Sequence, residues 1–142
     1  MKRHSGFTLI EVLIVIVVIA ILAAIVVPRL LGAGREAREA SLRAHLQELR
    51  NAVGLFQAQV GDYPADLTQI MDSTAPATGA NGVVINPNDF RGPYLTTASG
   101  ELPDNPITGA NAVGVDWNYA AATGDISAAA GTAVDGTDYS NW

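Results

Sequence analysis

A continuous apolar run near the N-terminus constrains this chain more than any other feature. Residues 12–27 read VLIVIVVIAILAAIVV, and residues 7–11 (FTLIE) extend the stretch to 21 residues with one charge and one hydroxyl group. As an α-helix, these residues would be about 31 Å long, which is enough to cross the hydrocarbon core of a bilayer. The sequence therefore predicts a membrane-spanning helix over residues 7–27.

Three other interpretations of this apolar run each leave part of the sequence unexplained. A cleaved secretory signal usually has an apolar core of about 7–15 residues and a small-x-small cleavage site, whereas Pro28 and Arg29 follow here. A buried helix of a soluble protein would need more chain to cover it. A plain single-pass anchor leaves Glu11 unexplained, since an acid inside a bilayer costs roughly 2.5–3.5 kcal/mol and indicates a functional site that needs a named partner.

Composition excludes several classes of function. The 142 residues fit one domain, and the net charge of −6 divides into +3 over residues 1–50 and −9 over residues 51–142, where Arg91 is the only cation. Such an acidic half cannot supply the clustered cations that nucleic acids need. The absence of cysteine excludes disulfides, thiolate zinc sites and a cysteine nucleophile. His4 and His45 make no histidine cluster, and we predict no enzymatic activity.

A short basic leader precedes the apolar run. Residues 2–11 read KRHSGFTLIE, in which a glycine is followed by Phe-Thr-Leu-Ile-Glu. This segment resembles the class III signal of type IV pilins and type II secretion pseudopilins. In that family, a prepilin peptidase cuts after the glycine and methylates the new N-terminal phenylalanine. The resemblance therefore implies a leader of residues 1–6 and a cut between Gly6 and Phe7.

The resemblance also gives Glu11 a partner. A cut before Phe7 would create an α-amine with an ordinary pKa of about 7.7–8.0, which is largely a cation at neutral pH. Glu11 lies four residues later, so the two charges can pair within one subunit or between neighbours. Pairing between subunits would set the assembly register, because a wrongly docked subunit leaves a buried charge unpaired. The alternative is that the Glu11 side chain only extends to the membrane interface.

Pro28 follows the apolar run and lacks the N–H that would bond the carbonyl of residue 24. With Gly32 and Gly34, it predicts a soft region over residues 24–34 of one long helix. Family members carry a proline at the corresponding position, and Pro28 is therefore a candidate assembly residue. A simple kink at the membrane exit is the other interpretation.

Residues 28–60 are predicted to continue the helix in amphipathic form. One apolar stripe, with spacings of 4, 3, 4, 3 and 4, is formed by Leu42, Leu46, Leu49, Val53, Phe56 and Val60. Glu39 and Arg43 are assigned to the exposed faces as a favourable i, i+4 pair. Gly61 and Pro64 are expected to end the helix.

Residues 61–142 form the predicted C-terminal globular domain. The expected elements are short helical turns over 66–72, a strand over 83–85, and a hairpin made of 113–119, a turn at 123–124 and a strand over 125–130. A hairpin alone is marginally stable, so it should pack on the helix stripe. The predicted fold class is α+β and type IV pilin-like, with one long N-terminal helix packed on a small antiparallel sheet.

Two further segments resemble the major, shaft-forming pseudopilins. These are GPYL (92–95) followed by ELPDNP (101–106), and the acidic segment DGTDYSNW (135–142). In that family the acidic loop can hold calcium, which implies Asp135 and Asp138 as ligands and Asp125 as a looser candidate. Calcium takes about six to eight oxygen ligands, and the family's fuller set of aspartates is missing here. A solvated acidic tail is the alternative, and no cofactor is required.

These features together predict a subunit that polymerises into a type IV pilus-like filament. The resemblance implies a homopolymer served by prepilin peptidase, an inner-membrane assembly platform with its ATPase, and minor pilins or pseudopilins. It also implies a cytoplasmic leader and an external C-terminal domain, although the count of flanking cations alone favours the opposite orientation. Many type IV pilins close a C-terminal loop with a disulfide, so within this resemblance the absence of cysteine favours the major pseudopilin of a type II secretion system. A surface pilin for adhesion, motility or DNA uptake is the alternative. A monomeric membrane-anchored binding domain is the third hypothesis.

Overall fold

The computed structural model describes residues 7–129 and 131–142, without the side chains of residues 28–32. Gly6 and the rest of the predicted leader lie outside these residues. The elements are helix α1 (Leu9–Val60), a 3₁₀ helix (Leu67–Met71), strands β1 (Trp117–Ala120) and β2 (Asp125–Ala128), and a second 3₁₀ helix (Tyr139–Asn141). The predicted α+β, type IV pilin-like architecture is thereby confirmed.

The chain divides into two compact units, Met1–Ala37 and Arg38–Trp142. Helix α1 supplies residues to both, and its helical backbone continues through Pro28. The predicted softness of residues 24–34 stays a prediction. At its C-terminal end α1 stops at Val60 as expected, because Gly61 takes a positive φ of 82° while its N–H still bonds the Gln57 carbonyl at 2.9 Å.

The core of the second unit forms along the predicted apolar stripe of α1. Leu42, Leu46, Leu49, Val53 and Phe56 are buried, whereas Val60 at the end of the stripe is half-buried. The main cluster adds side chains from the 3₁₀ helix, both strands and the connecting loops, which are Leu67, Ile70, Leu95, Leu102, Trp117, Ile126, Ala128, Ala133 and Tyr139. The helix is thus the surface on which the small sheet and its loops are packed.

Strands β1 and β2 form an antiparallel hairpin with Trp117 opposite Ala128 and Tyr119 opposite Ile126. Alternation places Trp117, Ile126 and Ala128 in the core, while Asn118 and Ala120 are exposed. The hairpin was predicted, but its first strand begins four residues later than expected. Residues 114–116 form a turn instead, and Val113 makes an isolated bridge with Trp117.

The turn over residues 114–116 has a clear local cause. Gly114 adopts a φ of 84° and its N–H bonds the Trp117 carbonyl at 2.7 Å, while the Asp116 carboxylate accepts from the Ala112 N–H at 2.9 Å. These contacts hold the backbone in a turn. Val115 is 70% exposed, so the alternation of apolar and polar residues that predicted a strand does not correspond to a buried face at this position.

The predicted strand over residues 83–85 is also wrong. Val84 makes one isolated bridge with Thr78, and its side chain is exposed, while Ile85 is buried against Phe56 and Phe90 in a second cluster. This short apolar run is a loop that bonds residues 77–79 through one isolated bridge and inserts the Ile85 side chain into the core.

The 101–106 segment positions Trp117. The indole Nε1 of Trp117 donates to the Pro103 carbonyl at 2.9 Å, and the buried Asn105 side chain donates to the Asp116 carbonyl at 2.9 Å. His45 on α1 is half-buried, with its Nδ1 3.0 Å from the Asp104 carbonyl oxygen. The histidine therefore contacts the backbone of this loop.

Candidate functional site

The N-terminal half of α1 presents an uninterrupted apolar surface. Leu9–Val27 has a mean hydropathy of 3.4 and none of it is buried, which makes this one helix in the described part of the chain long and apolar enough to cross a membrane. Phe7, just before the helix, is 82% exposed. A surface of this size requires lipid or other protein to cover it.

Thr8 and Glu11 together cap the start of α1. The Glu11 carboxylate Oε2 accepts from the Thr8 N–H at 2.8 Å and from the Thr8 hydroxyl at 2.7 Å, and the Thr8 Oγ1 accepts from the Glu11 N–H at 3.3 Å. This reciprocal arrangement is a capping box, which satisfies two backbone donors that a helix start otherwise leaves unpaired. Glu11 therefore has a structural role within its own chain.

The capping role of Thr8 was missed at the level of sequence, although T-x-x-E ahead of an apolar run is its recognisable signature. The backbone N–H and the hydroxyl of Thr8 both donate to Oε2, so Oε1 of Glu11 accepts no hydrogen bond from residues 7–129 and 131–142. That oxygen is available to a partner from outside the chain. In the uncut chain Phe7 carries an ordinary peptide N–H, and the predicted pairing of its free amine with Glu11 stays a prediction.

The three predicted calcium ligands each serve a local turn. Asp125 accepts from the Thr123 hydroxyl at 2.6 Å, Asp135 from the Thr137 hydroxyl at 2.6 Å, and Asp138 from the Ser140 hydroxyl at 2.7 Å. The Thr137 hydroxyl and then its N–H lower the pKa of Asp135. Within the described ranges, no three His, Cys, Asp or Glu side chains are grouped to hold a metal. This arrangement does not fit a shared calcium ion, and calcium binding stays a prediction.

Glu39 is not on an exposed face, contrary to the prediction. It is 5% exposed, and its Oε1 accepts from the Val134 N–H at 2.9 Å and the Tyr139 hydroxyl at 3.0 Å. The sequence does indicate that position 39 faces the core, because extending the stripe spacing back by three residues from Leu42 reaches it. An acid at a core position indicates a buried polar contact, and its partners come from the far end of the chain.

Asp62 was also missed. It lies just after α1, is 3% exposed, and accepts from the N–H groups of Tyr63, Asn81 and Val83 and from the Asn81 side-chain amide. Burial alone would raise the pKa of this carboxyl, but the hydrogen bonds together outweigh it and the pKa is lowered. Asp62 therefore organises the loop that follows α1.

Comparison with known proteins agrees with the motif. Residues 1–27 match the family described as the prokaryotic N-terminal methylation motif. The chain is 36% identical over 81 residues to the type IV wide pilus major component PilA4 of Thermus thermophilus, covering 57% of this chain and 62% of that protein. It is 40% identical over 63 residues to the type II secretion system core protein G of Aeromonas hydrophila, covering 44% of each chain.

A third relative is the type II secretion system core protein G of Escherichia coli, with 32% identity over 83 residues that cover 56% of this chain and 57% of that protein. The alignments thus span less than two thirds of each of these relatives. No solved structure gives a significant match. The resemblance to type IV pilins and type II secretion pseudopilins that the sequence predicted is confirmed.

Proposed function

We propose that this pilin-like chain is a structural subunit that polymerises into a type IV pilus-like filament. The observation that carries the proposal is the wholly exposed apolar helix Leu9–Val27 directly behind an N-terminal methylation motif. Before assembly, the inner membrane covers this surface, with the C-terminal domain outside. After extraction by an assembly platform and its ATPase, the same helices cover one another in the filament core. Repetition of one contact that does not close produces an open filament.

The system we favour is a type II secretion system, with this chain as its major pseudopilin. Several relatives carry the name type II secretion system core protein G, which supports this assignment. The alternative is a surface type IV pilin, which the similarity to a wide pilus component of Thermus thermophilus favours. In both systems the role is assembly rather than catalysis, with prepilin peptidase and minor pilins or pseudopilins as partners.

Processing provides the first test. Intact-mass measurement of the assembled protein should show loss of residues 1–6 and one methyl group on Phe7. In a Gly6→Leu variant the leader should remain and the protein should stay in the membrane, because a side chain at this position obstructs the close backbone approach of the peptidase. Ser5→Ala, which keeps Gly6, is the matched control and should be processed normally.

The same measurement separates the two systems. Processed protein in filaments sheared from the cell surface at native expression identifies a surface pilin. Processed protein that stays in the envelope identifies a pseudopilus subunit. Retention of residues 1–6 in every fraction of the wild type would contradict the proposal as a whole.

A further inference from the structure

The C-terminal segment, residues 131–142, is folded on itself and packed on α1. Thr132 pairs with Asp138, the Ala133 N–H bonds the Thr137 carbonyl at 2.7 Å, and the Tyr139 N–H bonds the Gly131 carbonyl at 2.9 Å. This is the segment for which the family resemblance implies a calcium ion. Ala133 and Tyr139 join it to the core along α1, and three charged side chains of the helix make its polar contacts.

Glu39 makes the most buried of these contacts. Its carboxylate receives the Val134 N–H and the Tyr139 hydroxyl, and both Glu39 and Tyr139 are at most 5% exposed. Hydrogen bonds to an ionised carboxylate are stronger than neutral ones. Glu39 thus binds two points of the segment, a backbone amide in the turn and a side chain in the 3₁₀ helix.

Arg43 lies one turn further along α1. Its guanidinium carbon is 3.9 Å from the centroid of the Trp142 ring, and its Nη2 is 4.0 Å from the Asp135 carboxylate. Trp142 also packs edge-on against Tyr139 with ring centroids 4.9 Å apart. The exposed Arg43 guanidinium therefore lies beside one of the carboxylates that calcium would use.

Arg50 joins the end of the segment to the sheet. Its Nη2 donates both to the Trp142 carbonyl and, at 2.7 Å, to the Ile126 carbonyl of β2, to which its Nε also donates at 3.1 Å. Glu39, Arg43 and Arg50 are spaced by four and seven residues, so they follow one face of the helix. Together they contact residues 134, 135, 139 and 142 of the segment.

We infer that Glu39, Arg43 and Arg50 hold the C-terminal segment in place of a calcium ion, so that the folding of this domain does not depend on calcium. The acids of the segment are already engaged by their own turns, and the positive charge of Arg43 opposes a second cation beside Asp135. The inference does not rest on filament formation, because every contact lies within one chain.

The test is thermal unfolding of the full chain in detergent micelles, with excess calcium chloride or with EDTA. The wild-type Tm should be the same in both within about 1 °C. Glu39→Ala should lower the Tm by about 5–10 °C, and calcium should not restore it. The Tm of Glu39→Gln should lie between those of the wild type and Glu39→Ala, because the glutamine amide oxygen still accepts hydrogen bonds. Glu36→Ala, on an exposed face one turn earlier, is the matched control and should leave the Tm unchanged.

A second readout remains if Glu39→Ala does not fold. In Arg43→Ala the tryptophan emission, to which Trp117 and Trp142 both contribute, should change. Amide hydrogen exchange over residues 131–142 should become faster, while exchange over residues 46–56 stays at the wild-type rate. A wild-type Tm that rises by several degrees with calcium and falls with EDTA would overturn the inference and establish the calcium site instead. Unchanged exchange in residues 131–142 of Arg43→Ala would equally contradict it.

Discussion

Replacement of Glu11 by glutamine is expected to abolish filament assembly while leaving the helix cap and membrane insertion intact. Glutamine at this position still accepts from Thr8 in a capping box, so the variant removes the charge and keeps the local structure. A neighbour's Phe7 amine would then be buried without a counter-charge. Breaking a buried ion pair by removing one partner costs roughly 3–5 kcal/mol, a factor of more than ~100 in the association constant.

The variant series separates the two roles of this glutamate. Glu11→Ala loses both the cap and the charge and should fail to assemble like Glu11→Gln. Glu36→Gln removes an exposed charge from the same helix and should assemble at the wild-type level. The measurement is the yield of sheared or cross-linked filaments, normalised to the processed protein in the membrane fraction. Wild-type yield from Glu11→Gln would show that Glu11 acts only as a helix cap and that its charge does not set the assembly register.

Removal of the Asp62 carboxylate should produce the largest loss of domain stability from a single polar side chain. In Asp62→Ala the N–H groups of Tyr63, Asn81 and Val83 lose their acceptor in a buried place. Each unsatisfied buried group costs about 1–3 kcal/mol, and partial relaxation leaves an expected total of about 3 kcal/mol. For a chain of this size the Tm should fall by about 10 °C. Asp89→Ala, which removes an exposed acid, should change stability by less than ~0.5 kcal/mol.

The contribution of Asp62 should also depend on pH. Its pKa in the folded protein is lowered below that of the unfolded chain, which is about 3.9. The stabilisation is therefore fully present above that value and is lost as pH falls through the lowered folded pKa. Between pH 7 and pH 2, the free energy of unfolding should fall less in Asp62→Asn than in the wild type. If the free energy of unfolding fell equally with pH in the two proteins, Asp62 would not be charged in the folded state.

Much of the fold was predictable because its signals are local. The stripe from Leu42 to Phe56 follows helical spacing, and each of its members is buried as that spacing requires. The end of α1 at Gly61 and the hairpin turn near Gly124 follow from backbone preferences of single residues. The first part of the strand predicted over residues 113–119 is not a strand, because Gly114 and Asp116 form a turn. The alternation of apolar and polar residues alone does not reveal that turn.

The sequence by itself determined that the N-terminal segment is a long apolar helix behind a pilin-like methylation motif. The motif, the apolar length and the spacing of Phe7 from Glu11 are properties of residues close together in the chain. Only the tertiary structure decided the roles of Glu39 and Asp62. Glu39 bonds groups 95 and 100 residues away, and Asp62 bonds groups 19 and 21 residues away. The helical spacing indicates that position 39 faces the core, but the groups that the Glu39 and Asp62 carboxylates bond depend on how distant segments pack. Hydrophobic periodicity does not identify those partners.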